Sequence, residues 1–313
     1  MLHVVDSKEY LMRMLALERP GAGKILAFYE HRVGAICKDP KLLLLPMDDH
    51  LVHRGDGVFE ALKFVGRRLY QLDAHIERMK GSSAAIGLQP PCSWEELRAH
   101  ILDVCRATDA ANGFVRILLG RGPGGFGVDP SECPAASLYI IACAFTPKPE
   151  SVYQLGASAF RTSIPAKQPW LAKIKSIDYL PNVLMKKEAG ALGADFPVCY
   201  DERGFMAEGA TENLCIVDEA GRIEVPELTN ALTGTTMMRA FALVEGEIPV
   251  VYKEIREEDI VRARELIVLG TTNDALSVVS YNGKPVRDGK PGPVSRRLRE
   301  LILADISAHG IEV

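Results

Sequence analysis

Paired cysteines are missing from this 313-residue sequence: its seven cysteines stand at 37, 92, 105, 133, 143, 199 and 215, with no Cys-x-x-Cys among them. An odd, irregular set speaks against a disulfide framework and against a paired-cysteine zinc site. The seven histidines show no His-x-x-x-His spacing, so the pattern predicts no metal site. Long apolar runs are lacking as well. The leucine run Leu42 to Leu45 stops at Pro46, far short of the ~20 residues that span a bilayer. Positive charge is not in excess, with 37 Lys plus Arg against 41 Asp plus Glu and a net charge of -4. No global field would attract nucleic acid or an anionic membrane. The first residues carry Asp6 and Glu9 where a signal peptide has a basic start, so a cytoplasmic protein is expected.

What remains is an ordinary globular composition, 47% hydrophobic and 25% charged, with neither low-complexity tracts nor repeats. At roughly 150 residues per domain the length predicts two domains. Strand signals run over 58–65 and, after a Gly66-Arg67 turn, over 68–72. Asp73 then reads as the cap of a helix to about Ala85, with Ile76, Met79 and Ser83 on one face. Ser93 caps a second helix to about Ala107, and 114–119 and 137–145 read as strands. Thr146-Pro147-Lys148-Pro149-Glu150 breaks regular structure. It divides an N-terminal domain, 1–145, from a C-terminal one, 151–313, with 146–150 as linker. Beyond it, strands near 155–162, 196–200, 213–217 and 265–270 interleave with helices near 181–192, 234–245 and 294–308. The class is mixed α/β, or α+β. Tyr281-Asn282-Gly283-Lys284 reads as a hairpin turn, since Asn-Gly accepts positive φ.

Several segments could carry chemistry. Gly120-Arg121-Gly122-Pro123-Gly124-Gly125 fits the dinucleotide fingerprint formally, which raises a nicotinamide oxidoreductase. A true fingerprint opens a helix, whereas Phe126-Gly127-Val128-Asp129-Pro130 continues as loop. Thr233-Gly234-Thr235-Thr236 places hydroxyls and free N–H groups at a helix start, an anion site or simply a capped helix. Gly270-Thr271-Thr272 adds small hydroxyls at the end of an apolar strand. Lys173 and Lys175 lie in an apolar-interrupted segment, where a lysine can lose much of its basicity and become nucleophilic, or can be plain surface. Glu208 falls on a glycine-containing bend and is otherwise an exposed turn carboxylate. Arg78 lies about 200° from Ile76 around its helix, so periodicity turns it to solvent.

Together, Arg54-Gly55-Asp56-Gly57-Val58-Phe59-Glu60, His75-Ile76-Glu77-Arg78, Lys175-Ser176-Ile177-Asp178-Tyr179-Leu180, Glu208-Gly209-Ala210-Thr211-Glu212-Asn213-Leu214, Gly234-Thr235-Thr236 and Gly270-Thr271-Thr272 resemble, in order and spacing, one family. It is the class IV, fold-type IV, pyridoxal-phosphate enzymes: branched-chain aminotransferases, D-amino-acid aminotransferases and aminodeoxychorismate lyases. The resemblance implies a two-domain enzyme, smaller domain first, that binds pyridoxal 5′-phosphate as a homodimer. By it, Lys175 would form the internal aldimine and move the substrate proton, with Lys173 a bystander, and Glu208 would pair with the pyridine nitrogen. Arg78, Thr235, Thr236 and Thr271 would hold the phosphate, overriding the solvent-facing reading of Arg78. Phe59 and Tyr179 would line an apolar side-chain pocket, and Arg54, Arg116 or Arg121, with the backbone near Thr272, would bind a substrate carboxylate. The implied reaction is transamination between an amino acid, branched-chain L in the first instance, and a 2-oxo acid such as 2-oxoglutarate. A D-amino-acid aminotransferase and a lyase releasing pyruvate are the alternatives within the family. A cofactor-binding protein without turnover is the one outside catalysis. Two departures stand out: Arg54 occupies a usually aromatic position, and Pro123 stands where D-specific enzymes carry a histidine.

Overall fold

The computed structural model describes residues 2–313. Its strands are β1 Ile25–Glu30, β2 Ala35–Cys37, β3 Gly57–Val65, β4 Arg68–Leu69, β5 Gly113–Gly120, β6 Ser137–Ala144, β7 Ala157–Arg161, β8 Phe196–Val198, β9 Asn213–Val217, β10 Ile223–Pro226, β11 Val250–Lys253, β12 Glu265–Gly270, β13 Asp274–Tyr281, β14 Lys284–Pro285 and β15 Ile311–Glu312. The helices are α1 Ser7–Ala16, α2 His50–His53, α3 Leu72–Ala85, α4 Trp94–Arg106, α5 Glu150–Leu155, α6 Pro169–Ala172, α7 Leu180–Leu192, α8 Thr235–Leu243, α9 Glu257–Arg262 and α10 Pro293–His309. They build two sheets, of order β15-β4-β3-β5-β6-β1-β2 and β11-β10-β9-β12-β13-β7-β8. The first is antiparallel throughout. The second mixes both senses, with β7 parallel to β13 and β8 and β10 parallel to β11. This is the mixed α/β class read from the sequence.

Period-two alternation positions the site. On β3, Val58, Leu62 and Phe64 turn to one face and bury in a core with Ile76 and Met79 of α3 and Leu97 and Ile101 of α4. Glu60 shares that face, and Phe59 and Lys63 take the other. The second sheet is covered on one side by Met237, Ala240 and Phe241 of α8 and Leu298 and Ile302 of α10.

Several local expectations shift. β4 ends at Leu69, and α3 starts at Leu72 behind Gln71, whose φ is 56°, so Asp73 sits in the first turn and is not the cap. The expected strand at 155–162 begins only at Ala157, because α5 occupies the residues before it. Strands β1, β10, β11 and β13 carried no recognised signal. The hairpin at Asn282-Gly283 forms as read, with Tyr281 paired to Lys284 and φ of 49° and 73°. The capping box at Ser93 is complete, with Glu96 closing it. The range 151–313 runs through both sheets, since Ile311 of β15 pairs with Leu69 in the first.

The glycine-rich segment opens no helix. Gly122, at φ 100°, lies where an added Cβ would meet the Ala135 carbonyl at 1.8 Å. Its glycines serve a close approach of loop to loop, which removes the nicotinamide reading. Among the described residues no helix is long and apolar enough to cross a membrane.

Candidate active site

The lysine segment is clipped to the first sheet although it follows the linker in sequence. Phe59 N donates to the Lys175 carbonyl at 2.9 Å, Ile177 N donates to Gly57 O at 2.9 Å, and Lys175 N donates to Ser82 Oγ at 3.1 Å. Lys173 is exposed, whereas the Lys175 side chain turns inward. Its Nζ lies 4.6 Å from the Phe59 ring centre and 5.8 Å from that of Tyr179. The two rings meet edge to face at 4.9 Å. Burial among them, with Arg78 nearby, lowers the Lys175 pKa to about 8.

Glu208 comes from the second sheet's side. Reciprocal bonds between Cys199 and the 207–208 backbone fix its bend. Its Oε2 accepts from Leu232 N at 2.9 Å. Desolvation is the largest influence and raises its pKa to about 7. A base made less basic and an acid made less acidic thus share one cavity.

The third corner is the start of α8. Gly234, at its N-cap, has no side chain to close the first turn. A Cβ there would fall 1.8 Å from Asn213 Oδ1, which belongs to the amide that holds the Leu232 carbonyl at 2.7 Å. Backbone donors of the first turn therefore face the cavity together with the Thr235 and Thr236 side chains. Arg78, Lys175, Tyr179, Glu208, Thr235, Thr236 and Thr271 all line this one cavity.

Arg78 does not face open solvent, because the loop before α8 closes over it. Its Nη1 donates to Thr233 O at 3.1 Å. The rest of the guanidinium grips Glu60, from Nε to Oε1 at 2.7 Å and from Nη2 to Oε2 at 2.9 Å. Glu60 Oε2 also lies 2.6 Å from His75 Nδ1, and His75 Nε2 lies 3.1 Å from Thr235 Oγ1. Burial lowers the His75 pKa. A neutral ring that donates from Nδ1 accepts the Thr235 hydroxyl proton at Nε2. Glu60 itself, fully buried, is held well below the usual carboxylate range by its bonds to Arg78 and His75 against the cost of burial.

The model of the amino-transferase class IV family matches residues 57–281. The chain belongs to this family. The chloroplastic D-amino-acid transaminase of Arabidopsis thaliana is 32% identical over 293 residues, covering 91% of this chain and 78% of that protein. The putative branched-chain-amino-acid aminotransferase of Methanocaldococcus jannaschii is 27% identical over 279 residues, covering 88% and 95%. In structure, a branched-chain amino acid aminotransferase of T.th., solved with pyridoxamine 5′-phosphate, superposes with a TM-score of 0.86 at 26% identity, covering 91% and 95%.

This class IV aminotransferase does not bring every expected residue to the cavity. Arg121 is occupied elsewhere, with both Asp56 oxygens at 2.9 Å and the Ile86 and Gly87 carbonyls at 2.8 and 2.9 Å. Arg54 is exposed and staples the carbonyls of Phe126 and Gly127. Arg116 is exposed on β5, 5.9 Å from the Phe59 ring centre. Thr272 lines a neighbouring depression with Glu212 and Asn273. Sequence reasoning passed over Glu60 and His75, although both stand inside quoted motifs. It also passed over Lys167, which lies 4.5 Å from the Tyr179 ring centre and feels the Glu208 charge. A buried carboxylate 18 positions from its arginine has no local signature, so only their pairing reveals it.

Proposed function

We propose that this protein transfers an amino group between a branched-chain L-amino acid and a 2-oxo acid such as 2-oxoglutarate, with pyridoxal 5′-phosphate as cofactor. The observation that carries this reading is one cavity with three unlike corners. An inward lysine of lowered pKa suits an aldehyde, a carboxylate suits a protonated ring nitrogen, and an open helix start beside Arg78 suits a phosphate ester. The donor set fits that molecule. Arg78, Thr235, Thr236 and Thr271 would hold its phosphate, Lys175 its aldehyde carbon and Glu208 its ring nitrogen. When bound, the cofactor supplies an electron sink for charge developing at the substrate Cα.

The remaining chemistry belongs to the chain. With a pKa of about 8, Lys175 spends a useful fraction of its time as a neutral amine near neutral pH, able to take and return the Cα proton. The Leu232 N–H holds the Glu208 carboxylate in the cavity, where it would pair with the ring nitrogen. Glu60 and the Thr233 carbonyl hold Arg78 in place, and the N–H bonds they leave free would meet the phosphate. Phe59 and Tyr179 offer apolar wall to an aliphatic side chain and exclude water from the amine. The open face of β5 with Phe114 and Arg116 is where a second copy would complete the pocket, making a homodimer.

Handedness has a second reading, favoured by the 32% identity to the Arabidopsis D-amino-acid transaminase. Visible spectra of the cofactor-loaded protein, titrated separately with L-leucine, D-alanine and L-glutamate, decide between them. Discharge of the band by L-leucine and L-glutamate, and its restoration by 2-oxoglutarate, is expected. Discharge by D-alanine alone replaces the branched-chain reading, and pyruvate release without an added oxo acid replaces transamination with elimination.

A further inference from the structure

Far along the first sheet from the cofactor cavity, a second group of chemically capable side chains meets. His31 follows β1 in the turn to β2, Cys92 directly precedes the Ser93 cap, and His100 lies within α4. One ligand atom from each lies within 4.8 Å of the others, and all three residues are half-buried. We propose that His31, Cys92 and His100 form a binding site for one divalent transition-metal ion of the zinc class, which clamps the β1–β2 edge hairpin to α4.

Two imidazole nitrogens and one sulfur make a borderline-soft donor set, suited to zinc or cobalt and poorly suited to magnesium or calcium. Zinc bonds of about 2.0–2.1 Å to nitrogen and 2.3 Å to sulfur place tetrahedral ligand atoms about 3.3–3.8 Å apart. Atoms already within 4.8 Å need close by no more than about 1.5 Å, a rotamer adjustment for partly exposed side chains. The framework beneath them is firm. The His31 backbone N donates to Leu138 O at 3.0 Å, and the capping box at Ser93 fixes the start of α4 beside Cys92.

One residue orients both imidazoles. The Tyr29 hydroxyl lies 3.1 Å from His31 Nδ1, and its ring packs on His100 with centres 4.6 Å apart. Outer partners that fix ring orientation are the usual companions of histidine ligands. Glu96 completes the surroundings: its Oε2 accepts from Ser93 N at 2.8 Å, and its charge acts on Tyr29 and Cys92. A water would take the fourth position. A cysteine binds the ion as thiolate, so the ion must displace the thiol proton and binding weakens as pH falls.

The test uses the full chain as purified, freed of metal by a chelator and then titrated with zinc chloride by calorimetry and with cobalt(II) by absorption spectroscopy. One saturable zinc per chain is expected, together with a thiolate-to-cobalt charge-transfer band in the near ultraviolet. Cys92→Ser should abolish that band. His100→Gln and Tyr29→Phe should weaken zinc binding by roughly tenfold or more, while Cys37→Ser should change nothing. Zinc should raise the unfolding temperature of the wild type and leave that of Cys92→Ser unmoved. Absence of a saturable one-to-one isotherm in the wild type, or a Cys92→Ser variant that binds zinc as tightly as the wild type, overturns the proposal. The wild-type titration decides even where a variant fails to fold, and none of these readouts depends on turnover.

Discussion

Replacing Glu60 by glutamine puts the support of Arg78 to a quantitative test. The carboxylate is fully buried and takes four bonds, two from Arg78, one from His75 and one from the Ala61 N–H. Glutamine keeps the shape and one acceptor oxygen but turns an N–H₂ group toward one of those donors. The Arg78 guanidinium, only 14% exposed, then loses its counter-charge. Breaking a buried pair from one side costs about 3–5 kcal/mol, a hundredfold or more in the folding equilibrium. Urea unfolding of the cofactor-free protein at neutral pH reads this directly. The pH dependence adds a sign. Because the folded pKa of Glu60 is depressed, its stabilisation is fully present above the unfolded carboxylate value of about 4.3 and fades as pH falls below it. The gap between wild type and Glu60→Gln should therefore be flat from pH 6 to 8, as roughly expected from that value, and shrink in acid. An unpaired Arg78 should also seek another anion, so inorganic phosphate should raise the unfolding temperature of the variant more than that of the wild type. A loss below about 1 kcal/mol, or a gap that does not depend on pH, would refute the account of Glu60 as the counter-charge that holds Arg78.

Two further outcomes follow from the same physics. Lys175 falls from its ordinary 10.5 to about 8, so the cofactor-free fold carries a penalty below pH 8 that is relieved as pH rises from about 8 toward 10.5. Lys175→Met should remove it, stabilising the cofactor-free protein at neutral pH by up to roughly 3 kcal/mol while abolishing transamination, as thermal unfolding and amino-transfer assays would show. Lys63 on β3 and Asp274 on β13 form a buried pair joining the two sheets. Lys63→Met should cost about 3–5 kcal/mol, and adding Asp274→Asn should recover much of it, since asparagine tolerates the φ of 54°. No recovery in the double variant would mean that the pair is not what the single change breaks.

The residues that line the cavity were legible in order and spacing. Lys175, Glu208, Thr235, Thr236 and Thr271 were named by the motifs that carry the family resemblance, and the fold brings all five to one cavity. The Ser93 capping box and the Asn282-Gly283 turn are local, settled by bonds and dihedrals within a few residues. Strands such as β10 and β11 were not legible, because edge pairing and tertiary burial decide them more than their own sequence does.

Everything that depends on which distant segment lies opposite waited for the fold. Helical periodicity turns Arg78 to solvent, but buried Glu60 draws its guanidinium in and the loop before α8 closes over it. Arg54 and Arg121 look like substrate ligands until backbone carbonyls and Asp56 are seen to occupy them. Lys63 meets Asp274 across 211 positions, and His31 reaches Cys92 and His100 only because α4 packs against β1. Local rules act over one turn of helix or one hairpin, so sequence alone specifies the groups that can do chemistry. The packing of one sheet against the other decides which of them meet, which are neutralised and which are left for a ligand.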